Sequence, residues 1–215
     1  MIKIKLKDGK VCEIEKGTTA LTFLKSLSNS LAKKALSVKI NGVNSDLMTP
    51  LNNDCSIDFM TFEDAAGRWA LRHSASHVLA QAIKRIYGEK NVQLAIGPAI
   101  DNGFYYDIDM QKQLSQSDLD KIQKEMEKIV KENLPIERRE VKREDAIKLF
   151  EAKGEKYKVQ LIKDLPEDVL ITLYTQGEFT DLCAGPHLVS TGKIKALKLQ
   201  NITGAYWRGN AKNKM

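Results

Sequence analysis

Residues 1–15, which read MIKIKLKDGKVCEIE, decide the fold at the start of the chain. Ile2 and Ile4 alternate with lysines, which is the period of a β-strand that buries one face. Asp8-Gly9 then favours a tight turn, and the alternation resumes over residues 11–15. The stretch therefore predicts a β-hairpin. Its alternating charges are not those of a signal peptide.

The residues after the hairpin predict one helix and two further strands. Thr18-Thr19 can cap a helix whose apolar residues recur at helical spacing. Residues 38–40 predict a short strand that ends at the turn Asn41-Gly42, and residues 57–60 predict a last strand. This order predicts a small α+β domain over residues 1–62, without a cluster of catalytic residue types.

Residues 63–215 form the second predicted domain. A joint at residues 63–67 precedes a helix from about Trp69 to Tyr87. Further helices are predicted over residues 117–132 and 144–152, and strands over 93–100, 104–108, 136–141, 157–162, 170–174 and 178–183. Strands joined mostly by hairpins indicate an antiparallel sheet packed against helices, so the chain is assigned to the α+β class.

Composition narrows the location and the partners of the protein. The sequence has no apolar run near the roughly 20 residues of a membrane span. Its three cysteines, Cys12, Cys55 and Cys183, are odd in number and far apart, which favours a reducing compartment over a disulfide framework. We therefore expect a cytoplasmic protein. The net charge of +6 favours a polyanionic partner, although a solvated basic surface explains it equally well.

All three histidines fall in two short segments, His73-Ser-Ala-Ser-His77 and Cys183-Ala-Gly-Pro-His187. His73 and His77 lie one turn apart on the same helix face, a spacing that suits metal binding, acid–base work or a structural hydrogen bond. The segment lacks the glutamate of the H-E-x-x-H metalloprotease helix. Gly185-Pro186 favours a turn in the second segment.

The four His and Cys side chains match two kinds of site. Three histidines and a cysteine are a complete tetrahedral zinc ligand set. They equally make a polar pocket in which a thiol and bases hold a water. Asp181 lies two residues before Cys183, on the same side if that segment is extended. The residues alone leave both possibilities open.

The two segments resemble the paired H-x-x-x-H and C-x-x-x-H motifs of the editing domains of threonyl- and alanyl-tRNA synthetases. Residues 1–62 resemble the TGS domain, a ubiquitin-related β-grasp fold. Further stretches similar to the threonyl family are Ile96-Gly97-Pro98, residues 101–107, residues 154–158 and residues 204–209. The resemblance implies a TGS domain over residues 1–62 and a tRNA editing domain of the second additional domain type over residues 63–215.

The same resemblance implies an activity. The family's editing domains hydrolyse the ester of mischarged seryl-tRNA(Thr), whereas its aminoacylation core, which would follow residue 209, joins threonine to tRNA(Thr). We expect that core, with its ATP, Mg²⁺ and Zn²⁺, to be absent, so that the chain is an editing fragment that makes no threonyl-tRNA. The expected partner is the acceptor end of tRNA(Thr) carrying serine, with no membrane. The fragment is expected to be a monomer and the full-length enzyme a homodimer.

Carried over residue by residue, the resemblance implies a set of site residues. His73 and Lys158 would handle the water and the ribose hydroxyl, with His77 in support. The substrate-binding residues would be Asp181, which would hold the serine ammonium, together with Cys183, His187 and Tyr106. From the residues alone, Lys158 is an exposed strand lysine. We favour a site without metal. If zinc is present, its ligands would be His73, His77, Cys183 and His187.

Basic residues are candidate contacts to tRNA phosphates, although for any single one of them a solvated charge is the better explanation. These candidates are Lys193, Lys195 and Lys198, the pair Arg138-Arg139, and Arg208, Lys212 and Lys214. Trp207 is a candidate for stacking on a base, but packing in the core is the favoured explanation. Two other functions remain open, a zinc-dependent deacylase of the alanyl-tRNA editing type and a non-enzymatic RNA-binding or zinc-storage module.

Overall fold

The computed structural model describes residues 1–204 and Tyr206. The helices are α1 (Ala20–Leu27), α2 (Asn29–Lys34), α3 (Ala65–Tyr87), α4 (Gln116–Glu132), α5 (Arg143–Ala152) and α6 (Lys156–Asp164). The strands are β1 (Ile2–Leu6), β2 (Val11–Ile14), β3 (Ser37–Ile40), β4 (Val43–Ser45), β5 (Cys55–Met60), β6 (Val92–Leu94), β7 (Ala99–Ile100), β8 (Gly103–Phe104), β9 (Ile108–Met110), β10 (Ile136–Val141), β11 (Ile171–Gln176) and β12 (Phe179–Leu182). Four residues with predicted tRNA contacts or stacking lie outside the described part of the chain, namely Trp207, Arg208, Lys212 and Lys214.

The chain divides into two compact units. Unit 1 contains Met1–Ser74 and Gly185–Val189, and unit 2 contains Ala75–Ala184 and the residues from Ser190 onward. The domain limits of residues 1–62 and 63–215 stay a prediction. No helix in the described part of the chain is long and apolar enough to cross a membrane.

Unit 1 is built on a five-stranded sheet with the order β2-β1-β5-β3-β4. The strands β1 and β5 are parallel, and the other neighbours are antiparallel. The alternating pattern of residues 1–15 works as predicted, since Ile2 and Ile4 are buried while Lys3 and Lys5 are exposed. Phe23 and Leu24 of α1 join this buried cluster. Helix α1 packed against a mixed sheet of this strand order is the β-grasp arrangement, which confirms that prediction.

Two elements of unit 1 were missed by the sequence pattern. The predicted single helix is two, because Ser28 takes an extended conformation after α1 and its hydroxyl caps α2 by accepting from the Leu31 amide at 3.2 Å. Strand β4 has three residues, too few for an alternation to be recognised.

Unit 2 combines helices with small antiparallel sheets. The largest has the order β10-β11-β12, and β6–β9 and β7–β8 form two-stranded pairs. Helices α5 and α6 cover β11, where Phe150 and Ile162 pack against Ile171 and Leu173. The α+β class is confirmed. The predicted strand over residues 93–100 is two separate short strands, β6 and β7.

The prediction of a strand over residues 157–162 is wrong, because this segment lies in helix α6. Tyr157, Val159 and Leu161 alternate with polar residues, which imitates a strand over this short distance. In the helix the buried residues are instead Tyr157, Lys158 and Ile162. The correction brings Lys158 into the interior of unit 2.

Candidate functional site

Asp181 is the centre of a buried polar cluster in unit 2. It lies on β12 opposite Tyr174 of β11, and it is 2% exposed. Its Oδ1 accepts from the Leu182 amide at 2.8 Å and lies 2.6 Å from the Lys158 ammonium. Its Oδ2 accepts from the Tyr106 hydroxyl at 2.5 Å. Both carboxylate oxygens are therefore engaged by donors.

Lys158 reaches Asp181 from the first turn of α6. The residue is 3% exposed, and its Nζ also donates to the Tyr106 hydroxyl oxygen at 3.0 Å. Lysine is almost never fully buried unless it is paired, because removing its charge from water is costly. The pairing with Asp181 stabilises the ammonium, so Lys158 is a cationic donor in this arrangement.

Tyr106 joins the two charged groups. Burial and, next, the negative charge of Asp181 raise the pKa of the Tyr106 hydroxyl well above its usual range. The ring packs closely on Gly97, where a Cβ would lie 2.3 Å from the ring atom Cδ2. The Gly97 carbonyl in turn accepts from the Ser76 hydroxyl of α3 at 2.7 Å. A glycine at position 97 therefore lets the ring lie where it meets Asp181.

His77 borders this cluster from α3. It is 3% exposed, and its Nε2 lies 3.7 Å from Oδ2 of Asp181. The Phe179 ring meets the imidazole edge-on at a centroid distance of 5.9 Å. His77 is thus an acid–base group placed beside a carboxylate.

His73 and His187 belong to unit 1 and stack on each other. Their ring centroids are 4.3 Å apart with an interplanar angle of 27°. The Trp69 ring is tilted by 56° against the His73 ring, with the two ring centroids 4.6 Å apart. Ser74 Oγ lies 3.1 Å from His187 Nδ1, and the His187 amide donates to Asp46 Oδ1 at 2.7 Å. Both imidazoles are buried.

The structure therefore gathers the predicted site residues into two groups. Unit 2 brings together His77, Tyr106, Lys158 and Asp181, and it also contains Cys183, which directly follows β12. Unit 1 brings together His73 and His187. Residues 183–188 form no helix or strand, and the Gly185–Pro186 peptide is cis. The turn expected at Gly185-Pro186 stays a prediction.

Comparison with known protein families gives two matches, each to a part of the chain. Residues 2–61 match the profile of the TGS domain, and residues 171–215 match that of the threonyl and alanyl tRNA synthetase second additional domain. The second match covers β11, β12 and the Cys183–His187 loop.

Similarity to curated proteins extends over the whole chain. The chain is 59% identical to the threonine–tRNA ligase of Clostridium acetobutylicum, 57% to that of Clostridium tetani and 55% to that of Acetivibrio thermocellus, over 215 residues each. It spans about a third of the length of these relatives (33%, 33% and 34%). The chain thus matches a TGS domain near its start and, over residues 171–215, the second additional domain of threonyl and alanyl tRNA synthetases. The predicted resemblance to bacterial threonyl-tRNA synthetases is confirmed.

Unit 2 also contains a buried residue that the sequence did not single out as a site residue, Glu155. It is 2% exposed and directly precedes α6. Its Oε2 accepts from the Leu94 amide at 3.0 Å, and its Oε1 pairs with the Lys84 ammonium. Because Lys158 leaves the first turn of the same helix, Glu155 fixes the end of α6 from which Lys158 projects. Glu155 stands in the stretch 154–158 that resembles the threonyl family, but no sequence pattern marks it as buried, since a single glutamate before a short helix is common.

Proposed function

We propose that this chain hydrolyses the ester that joins serine to the terminal ribose of mischarged seryl-tRNA(Thr). The observation that carries the proposal is the buried cluster of Lys158, Asp181, Tyr106 and His77 in the unit that contains the second additional domain match. Buried charges of this kind are costly for stability, and they concentrate at functional sites. The similarity to threonine–tRNA ligases supplies the substrate.

The chemical need for such a site is clear from the size of serine. Serine is threonine without one methyl group, and a difference of one methylene gives a binding site only about 1–3 kcal/mol of discrimination. A second site that hydrolyses the smaller product supplies the remainder. The reaction needs a positioned water, donors for the developing oxyanion and a pocket that excludes the threonine methyl.

The proposed roles follow the residues present. His73 takes a proton from the attacking water, and Lys158, held as a cation by Asp181, donates to the ribose hydroxyl or the ester oxygen. His77 supports the cluster through Asp181. Cys183 and His187 shape the amino-acid pocket.

Asp181 has a role that depends on its present partners. Its carboxylate already meets Lys158, Tyr106 and the Leu182 amide. It holds the serine ammonium in exchange for one of these donors or beside them. Tyr106, kept neutral by its raised pKa, remains a donor to Asp181 throughout.

Zinc is the alternative cofactor, and the donor types fit it. The ligands would be His73, His77, Cys183 and His187, which supply three imidazoles and a thiolate. When bound, zinc would supply an activated water. We favour the metal-free site because Lys158 already places a positive charge beside Asp181, next to His77. Elemental analysis of protein purified without chelators should find no stoichiometric zinc, whereas one zinc lost on Cys183→Ser would support the alternative.

The partner in this proposal is the acceptor end of tRNA(Thr). Lys193, Lys195 and Lys198 are the described candidates for phosphate contacts, while Arg138 already pairs with Glu140 at 2.9 Å. Phosphate contacts would make binding fall steeply with salt. For the longer relatives, the corresponding proposal is ATP- and Mg²⁺-dependent ligation of threonine by a zinc-containing core in a cytoplasmic homodimer. The present chain is proposed to be a monomer.

The direct test is hydrolysis of seryl-tRNA(Thr) by the purified chain. The wild type should hydrolyse seryl-tRNA(Thr) and spare threonyl-tRNA(Thr). The variant with His73→Ala and Lys158→Ala should be inactive while it still binds tRNA. A near-normal rate in that variant would refute the assigned roles.

The same assay separates the competing functions. Preferential hydrolysis of seryl-tRNA(Ala) would indicate an enzyme of the alanyl-tRNA editing type, which the shared domain match alone does not exclude. Tight RNA binding without hydrolysis of any of the three substrates would indicate a binding module.

A further inference from the structure

The Ser74 hydroxyl makes three close contacts inside unit 1. Ser74 is fully buried on α3. Its Oγ lies 2.9 Å from the Ala70 carbonyl oxygen, 2.9 Å from the Leu188 amide nitrogen and 3.1 Å from His187 Nδ1. A serine hydroxyl has one proton to donate and two lone pairs that accept, so three partners use its full capacity.

The identity of two partners determines the third. The Ala70 carbonyl can only accept, so it takes the Ser74 proton. The Leu188 amide can only donate, so it occupies one lone pair of Oγ. The remaining lone pair faces His187 Nδ1, which must then carry a hydrogen. If Ser74 instead donated to His187, its oxygen would face the Ala70 oxygen at 2.9 Å with no hydrogen between them.

We infer that Ser74 is a positioning residue that holds neutral His187 as the Nδ1–H tautomer. The lone pair of the imidazole then lies on Nε2, and any partner of Nε2 must be a donor or a metal ion. A second bond fixes the backbone, since Asp46 Oδ1 accepts from the His187 amide at 2.7 Å. The imidazole is thus fixed in both orientation and polarity.

This assignment gives the proposed editing pocket a chemical preference. With the Nδ1–H tautomer, His187 can accept a hydrogen bond from the hydroxyl or ammonium of a seryl group, but it cannot donate one through neutral Nε2. This consequence rests on the proposed function. The tautomer itself does not, because it follows from contacts within unit 1.

The tautomer can be measured in the wild-type protein without any substrate. The sequence has only three histidines, so a ¹⁵N-labelled sample gives three pairs of imidazole nitrogen signals. At a pH where the rings are neutral, His187 should show a protonated Nδ1 and an unprotonated Nε2. Single His73→Asn and His77→Asn variants assign the signals. The reverse pattern, or an even mixture of tautomers, would overturn the inference.

A matched pair of variants tests the role of the hydroxyl. Ser74→Ala should shift the His187 signals toward a tautomer mixture and lower kcat/KM for seryl-tRNA about tenfold, the equivalent of one lost hydrogen bond. Ser37 is also fully buried in unit 1, and its hydroxyl bonds to Asn44 instead. Ser37→Ala should leave the His187 signals unchanged. Unchanged His187 signals in Ser74→Ala would count against the positioning role. Absence of hydrolysis in the wild type would count against the proposed function alone.

Discussion

The TGS region and the region around α6 differ in the kind of side chain that they bury. Within residues 1–62, all of which the structure describes, the buried side chains are apolar except for Ser37. Unit 2 instead buries Glu155, Lys158 and Asp181, each at most 3% exposed. A pair of buried charges stabilises a protein no better than well-packed apolar residues of the same shape. The difference indicates that the first region is explained by folding, whereas the second retains groups that folding does not need.

The largest effect is expected from breaking the pair of Lys158 and Asp181. Asp181→Asn keeps the shape but leaves a buried, unpaired ammonium, so it should lower the free energy of unfolding by about 3–5 kcal/mol. It should also abolish hydrolysis of seryl-tRNA. Urea denaturation and the hydrolysis assay measure the two effects. A stable and active variant would show that the pair is neither buried nor functional in solution.

A cavity in the TGS region should separate stability from activity. Leu24 is fully buried on α1, and Leu24→Ala should cost about 2–5 kcal/mol. Hydrolysis measured well below the unfolding temperature should remain close to that of the wild type. A parallel loss of activity in soluble, folded protein would mean that the TGS core contributes directly to catalysis.

Gly97→Ala should disturb the site through Tyr106. The new Cβ would lie 2.3 Å from the ring, so the ring must shift away from Asp181, with a destabilisation of about 1–3 kcal/mol. We expect a clear loss of kcat. Gly103→Ala is the matched control, since a Cβ there meets nothing within 4 Å. Equal effects of the two substitutions on kcat would argue against the idea that Gly97 makes room for the Tyr106 ring.

The smallest effect is expected from titration of Tyr106. The pKa of the Tyr106 hydroxyl is higher in the folded state than in the unfolded chain, where it is about 10. The stability that the neutral hydroxyl contributes is therefore fully present below the unfolded-state pKa and is lost as the pH rises through the folded-state pKa. The stability difference between wild type and Tyr106→Phe should therefore be constant from pH 7 to about 9 and shrink at higher pH. A difference that grows with pH would contradict this account.

The two regions also differ in how far the sequence predicts them. The hairpin over residues 1–15 was predictable because its alternation is long and its turn is Asp-Gly. The parallel pairing of β1 with β5 was not, since it joins residues about fifty positions apart. Helix α4 and the hairpin of β11 and β12 were predicted to within a few residues.

At the candidate site, the sequence predicts which residues take part better than it predicts their burial and their contacts. The histidines, Cys183 and Asp181 stand in recognisable motifs. By pattern alone Lys158 looked exposed, because a lysine shows its burial only through a partner, and Asp181 lies more than twenty residues away. Ser74 stands inside the histidine motif, but only the distances to Ala70 and Leu188 show what its hydroxyl does.

The central claim is that the buried pair of Lys158 and Asp181 serves the hydrolysis of seryl-tRNA and not the stability of the fold. The most direct measurement uses a double variant that carries both Lys158→Met and Asp181→Asn. Its free energy of unfolding and its hydrolysis rate are compared with those of each single variant. The double variant removes both charges while an amide oxygen remains for Tyr106. We predict that it recovers most of the stability lost in Asp181→Asn but hydrolyses no seryl-tRNA(Thr). Wild-type hydrolysis by this variant would contradict the account.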